Sequence, residues 1–275
     1  MMTKILNMKT AKSLVGLSVA TLLFGCSGDQ NETQISTASQ TSLTEASSQV
    51  STPAKEASIQ KPSVTTKARE VIAWDSAQLS ATISAMPKGD IQRGEQAHNQ
   101  LMCISCHAVT GQPNSRNFVN LNAQPANYLK KVLIDYRDDR RAESYGQAKI
   151  MTYISKDLTD QNISDLAVFY ASQDLPKGKD AGFYADDHIG QLVRMGDMSR
   201  GIMSCAACHG AEGQGNGDLF PALGGQEADY AVRTLKAYRS GLRNNDVNAM
   251  MQNIAKNLTD EEIEGLAAYY ENLNP

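Results

Sequence analysis

The sequence has little histidine, tryptophan or cysteine. Its 275 residues include four histidines, one tryptophan and five cysteines. A disulfide framework would scatter its cysteines, but four stand in two tight pairs, Cys103 with Cys106 and Cys205 with Cys208, and Cys26 is alone near the N-terminus. A basic excess is also missing. With 26 Lys and Arg against 30 Asp and Glu, the formal net charge is −4, so nothing suggests a nucleic-acid partner. No segment has the strict alternation of a half-buried strand. The one strongly apolar run, residues 14–24, is too short to span a bilayer comfortably.

That run does have a recognisable context. Lys4, Lys9 and Lys12 precede or open it, the layout of a secretory signal peptide. It ends in "LFGC", which resembles a bacterial lipobox with Leu23 three positions before Cys26. The resemblance implies removal of residues 1–25 and lipid on Cys26, anchoring the chain to a bacterial membrane through several acyl chains, since one alone binds only marginally. The mature chain would hold 23 basic and 30 acidic residues, a formal −7. The lipidated cysteine opens a segment, 26–87, that is mostly tether. Residues 27 to about 70 are rich in Ser, Thr, Gln and Ala and contain no aromatic residue. Such a stretch cannot bury enough apolar surface to offset its ordering entropy. As a flexible chain it has a reach of roughly 35–40 Å. The end of the segment, "EVIAWDSAQLSATISAMP" at 70–87, predicts a short helix packed on the body with Trp74.

The remainder is an internal repeat. "CISCH" at 103–107 returns as "CAACH" at 205–209, and "NYLKKVLIDYR" at 127–137 returns as "DYAVRTLKAYR" at 229–239, both at a spacing of 102. "MTYISKDLTDQNISDLAVFY" at 151–170 returns as "MQNIAKNLTDEEIEGLAAYY" at 251–270, at a spacing of 100. Two copies of one small domain are expected, at 88–173 and 190–275, joined by a connector at 174–189. Each copy reads as helical. Ile163, Leu166, Ala167 and Tyr170 fall at i, i+3, i+4 and i+7, as do Ile263, Leu266, Ala267 and Tyr270. Thr259 and Glu262 have the spacing of a capping box. Thr159 can cap the first copy, but Asn162 stands where the acid would be, so a weaker cap is expected. With about 86 residues and few aromatics, each copy makes a thin core by itself. A large bound cofactor would supply the missing apolar centre.

Three chemistries use a Cys-x-x-Cys-His sequence. Zinc needs four ligands, and adjacent Cys and His do not easily converge on one ion. A thioredoxin-like pair belongs near a βαβ unit, and none is visible. The third is c-type haem attachment, for which this is the recognised pattern. Two copies in register, behind a signal peptide, favour the third reading: two covalent haems on Cys103 and Cys106 and on Cys205 and Cys208, with His107 and His209 as axial ligands. Methionine opposite histidine is common in such cytochromes. Met151 and Met251 each stand seven residues before the leucine of "LTD", which makes them the register-matched ligands, with Met250 as a neighbouring alternative. Met102, Met195 and Met203 read as core filler. His98 reads as a solvated helix histidine, and His188 falls in the connector.

Residues 88–275 resemble the dihaem cytochromes c4, tandem class I cytochrome c domains. The resemblance rests on both CxxCH motifs and on "FPALGGQ" at 220–226 followed by "NLTDEEIEGLAAYY". It implies an all-α fold in which each domain wraps around one haem and the two pack about a pseudo-twofold axis. It also implies that the Pro221 carbonyl accepts a hydrogen bond from the axial histidine. "FVNLNAQ" at 118–124 departs from the pattern, with Val119 for Pro221 and Asn122 and Ala123 for Gly224 and Gly225, so the two haems should differ in potential. Tyr136, Arg137, Tyr238 and Arg239 either face haem propionates or lie on a helix surface.

Two classes of function follow. The first is a periplasmic electron carrier, not an enzyme, serving respiratory complexes, a terminal oxidase or a periplasmic reductase. The second is a dihaem enzyme, a peroxidase or thiosulfate-oxidising cytochrome, or a subunit of a larger complex. An enzyme needs an open iron or an unlike ligand. Matched methionines in both copies favour the carrier.

Overall fold

The computed structural model describes residues 73–141, 143, 146–180 and 187–275. The signal peptide, Cys26 and the tether of the sequence reading lie outside the described residues. Among those described, the chain is helical and no strand forms, only isolated bridges such as Trp74 with Val247.

The first repeat is built from α2 (Ile91–Gln100), α3 (Ile104–His107), α4 (Ala126–Arg137), α5 (Gly146–Ser155) and α6 (Asp160–Ala171). The second repeats the order with α7 (His188–Met195), α8 (Cys205–His209), α9 (Ala228–Arg239), α10 (Met250–Ala255) and α11 (Asp260–Asn272). The last two residues of the expected connector therefore start α7, whose N-cap is Asp187.

α6 and α11 are the central helices because their apolar stripes have helical spacing. Ile163, Leu166, Ala167 and Tyr170 are all buried, as are Ile263, Leu266, Ala267 and Tyr270. Full burial of each leucine or isoleucine contributes about 1.5–3 kcal/mol. Both helices start with a complete capping box. In the first, the Thr159 N–H donates to Asn162 Oδ1 at 3.1 Å, so an amide oxygen closes the box without a carboxylate's charge.

α2 crosses α6 at close range. A Cβ at Gly94 would stand 2.2 Å from the carbonyl oxygen of Asp165, so only glycine allows this approach. Arg93 then grips the Asp165 carboxylate with Nε at 2.9 Å and a second nitrogen at 2.8 Å. This packing corrects the reading of His98. The residue is fully buried: Nδ1 lies 2.8 Å from the Tyr170 hydroxyl and Nε2 lies 2.7 Å from the Ala108 carbonyl. Phe169 and Tyr170 on α6 supply the apolar walls that turn this face of α2 inward.

The predicted N-terminal helix is α1 (Ser76–Ala85), capped by the Asp75 side chain. Trp74 beside it is buried and donates to Asp135 Oδ1 at 2.6 Å. Asp135 is itself fully buried, held by Lys131 and by Asn245 Nδ2 at 2.6 Å. Burial pulls the Lys131 ammonium down to about 8, even with Asp135 beside it. From the second repeat, the Asn248 N–H donates to the Trp74 carbonyl at 2.9 Å. The strap around Trp74 thus ties both repeats together.

Candidate functional site

Each CxxCH motif forms one short helical turn. The His107 N–H donates to the Cys103 carbonyl at 2.9 Å. Positions i, i+3 and i+4 share a helix face, so Cys103, Cys106 and His107 face one way, as do Cys205, Cys208 and His209. All four cysteines are free thiols and partly exposed. Burial raises the Cys103 thiol and pushes Cys205 up to about 11.

Both histidines are buried. His107 Nδ1 donates to the Val119 carbonyl at 3.3 Å, and His209 Nδ1 donates to the Pro221 carbonyl at 2.8 Å. A carbonyl can only accept, so the proton is on Nδ1 in both rings. Nε2 makes no hydrogen bond among the described residues and is free to bind a metal. Desolvation lowers His107 to about 4 and lowers His209 as well, so both rings are neutral, the form that ligates. Phe118 and Phe220 lie edge-on to them at matched 6.3 Å separations.

Met151 is half-buried on α5, and Met251 is half-buried at the start of α10. Asp246 fixes the second loop, accepting from the Met251 N–H at 2.7 Å and the Gln252 N–H at 3.1 Å. Met250 is 36% exposed. Met102, Met195 and Met203 are exposed, which corrects their assignment to the core. Met102 and Met203 flank the CxxCH turns, and Met195 ends α7, where the chain turns at the surface. His188 is exposed too, with Nε2 2.9 Å from Glu262 Oε1.

Two of the four residues weighed at the ends of α4 and α9 form ion pairs. Arg137 pairs with Asp160 at 2.7 Å, and Arg239 pairs with Asp260. Tyr136 and Tyr238 are buried instead, each under a guanidinium: Arg141 lies 4.7 Å from the Tyr136 ring and Arg243 lies 4.4 Å from the Tyr238 ring. These two arginines were missed, although they too are 102 residues apart. Both are buried. Arg141 bonds Glu143 at 3.2 Å, whereas Arg243 bonds the neutral amide of Asn245 at 3.3 Å. Burial raises the Glu143 carboxyl, but Arg141 and Arg243 outweigh it and hold the group below its ordinary value. The two buried guanidiniums thus share the Glu143 carboxylate.

This donor set fits a haem c in each repeat. Paired thiols, a neutral imidazole with an open Nε2, a half-buried thioether and buried cations for carboxylates are all present. Comparison with known proteins agrees. The cytochrome c family model matches residues 91–173 and 201–274. Cytochrome c4 of Thiocapsa roseopersicina is 36% identical over 192 residues, covering 68% of this chain and 94% of that one. A protein of Stutzerimonas stutzeri (strain A1501) named thiosulfate dehydrogenase electron acceptor is 30% identical, covering 74% of this chain and 95% of its own. The crystal structure of reduced recombinant cytochrome c4 from Pseudomonas stutzeri superposes with a TM-score of 0.57 at 32% identity, covering 68% of this chain and all of that one. The chain belongs to the cytochrome c family, among the dihaem cytochromes c4, and is an electron-transfer protein with two covalently bound haem c groups.

Proposed function

We propose that His107 and Met151 are the axial ligands in the first repeat and His209 and Met251 those in the second. In this reading Cys103, Cys106, Cys205 and Cys208 form the thioethers, and the protein is a carrier rather than an enzyme. The observation that carries it is the pair of buried imidazoles, each with its Nδ1–H on a loop carbonyl and Nε2 without a partner. Haem c supplies a one-electron change at iron. The chain's own groups do the rest. The carbonyls of Val119 and Pro221 fix the tautomer and the angle of each ring. Arg141 and Arg243 offer their charge to carboxylates. Asp246 holds the backbone that presents Met251, which favours it over exposed Met250.

Carbon monoxide binding by the reduced protein tests the ligand set. The wild type and Met250→Ala should bind none promptly. Met151→Ala and Met251→Ala should each bind one equivalent. Prompt binding by the wild type would favour the enzyme reading.

In this reading the carrier works in the periplasm, anchored through Cys26, and exchanges electrons with respiratory complexes, a terminal oxidase or a periplasmic reductase. The name of the Stutzerimonas relative supports a thiosulfate-oxidising enzyme as one electron donor. Cys26→Ser should move the protein from the membrane to the soluble fraction. Unchanged membrane association would refute the lipid anchor.

A further inference from the structure

The two loops that receive the histidine bonds are tied to each other, and the tie is crossed. One peptide group joins Val119 to Asn120. Its carbonyl accepts from His107 Nδ1 at 3.3 Å, and its N–H donates to Gln226 Oε1, in the other repeat, at 2.8 Å. The matching peptide joins Pro221 to Ala222. Its carbonyl accepts from His209 Nδ1 at 2.8 Å, and its N–H donates to Gln124 Oε1 at 3.0 Å. Each glutamine then closes a ring on the same residue. Gln226 Nε2 donates to the Asn120 carbonyl at 3.1 Å, and Gln124 Nε2 donates to the Ala222 carbonyl at 3.0 Å. Gln124, Gln226, Asn120 and Ala222 are all buried, so bulk water does not replace these bonds.

Hydrogen bonds in a chain polarise one another. A peptide whose N–H is bound to an acceptor has a more electron-rich carbonyl. That carbonyl draws harder on the imidazole N–H and makes the ring a more basic ligand. A more basic ligand stabilises ferric over ferrous iron. We propose that each glutamine tunes the haem of the opposite repeat: Gln226 acts on the first through Asn120, Val119 and His107, and Gln124 acts on the second through Ala222, Pro221 and His209. They are positioning residues working across the domain interface. The inference rests on His107 and His209 being the iron ligands.

The test is a spectroelectrochemical titration of the full haem-loaded chain. Met151→His or Met251→His backgrounds mark which potential belongs to which haem. Gln226→Leu should raise the potential of the first haem and leave the second nearly in place. Gln124→Leu should do the reverse. Asn120→Ala serves as the interface control, because it removes the Asn120 Nδ2 bond to the Gly225 carbonyl (2.8 Å) and leaves both relays intact. It should produce no crossed pattern. Should a leucine variant fail to assemble, a through-hydrogen-bond coupling from the Asn120 amide nitrogen to the Gln226 side-chain carbonyl carbon can be sought in the reduced wild type. Its presence is expected, and its absence overturns the relay. Equal movement of both potentials, or a shift confined to the glutamine's own repeat, also overturns it. A wild-type spectrum without the low-spin histidine–methionine signature would overturn the ligand assignment and the relay together. A normal spectrum with no crossed shift would overturn the relay alone.

Discussion

Ala123 occupies a backbone conformation that its equivalent in the second repeat fills with glycine. Its φ is 53°, and that of Gly225 is 68°. The turn is kept because its N–H has a fixed partner: Ala123 donates to the Tyr170 carbonyl at 2.9 Å and Gly225 to the Tyr270 carbonyl at 2.8 Å. Left-handed backbone costs a residue with a Cβ roughly 1–2 kcal/mol. Glycine recovers that but adds freedom to the unfolded chain. Ala123→Gly should therefore stabilise the haem-loaded protein by up to about 1 kcal/mol. Denaturant unfolding reads this, and a loss of stability would show that the Cβ makes contacts worth more than the strain. At this scale the sequence was a partial guide. The cysteines, His107 and His209 were legible because a CxxCH turn carries its own geometry. His98 was not, since a polar-looking helix does not reveal which face another helix will cover. The exposed methionines were misjudged for the same reason.

At the scale of elements, the caps of α6 and α11 have one geometry and different chemistry. Glu262 closes the second cap and also binds Arg200 and His188. Burial raises its carboxyl, but the bonds from Arg200, the Thr259 N–H and His188 outweigh this and hold it at about 2. A carboxyl depressed in the folded state stabilises above its ordinary value, here 4.5, and that contribution fades as pH falls toward about 2. Asn162 in the first cap does not titrate. Amide protection relative to intrinsic exchange at the start of α11 should fall more than at the start of α6 as pH drops from 4.5 toward about 2, and Glu262→Gln should flatten the difference. An equal loss of protection at both helices would contradict the assignment. These helices, their stripes and their caps were legible because each is set by residues three or four apart. The Trp74 strap was legible only as a helix with an aromatic residue. Its partner Asp135 lies 61 residues away.

At the scale of the molecule, the second copy of the domain supplies more than a second iron. The repeat is visible as a spacing, and the spacing predicts two like domains. How they meet is not visible, because the bonds of Gln124 and Gln226 join residues about a hundred positions apart, 98 and 106 in the two relays. The sequence marks them only as the last residue of "FVNLNAQ" and "FPALGGQ". The acidic balance, 30 acidic against 26 basic residues, favours docking to basic partner surfaces with a salt-dependent rate. A carrier of the proposed kind has histidine and methionine on both irons. The direct measurement is the weak near-infrared charge-transfer band of methionine-bound ferric haem, recorded on the oxidised protein and scaled to its haem content. The expected intensity is that of two such haems, unchanged by brief exposure to cyanide. Half that intensity, or one haem that takes up cyanide at once, would mean that one iron is open or differently bound.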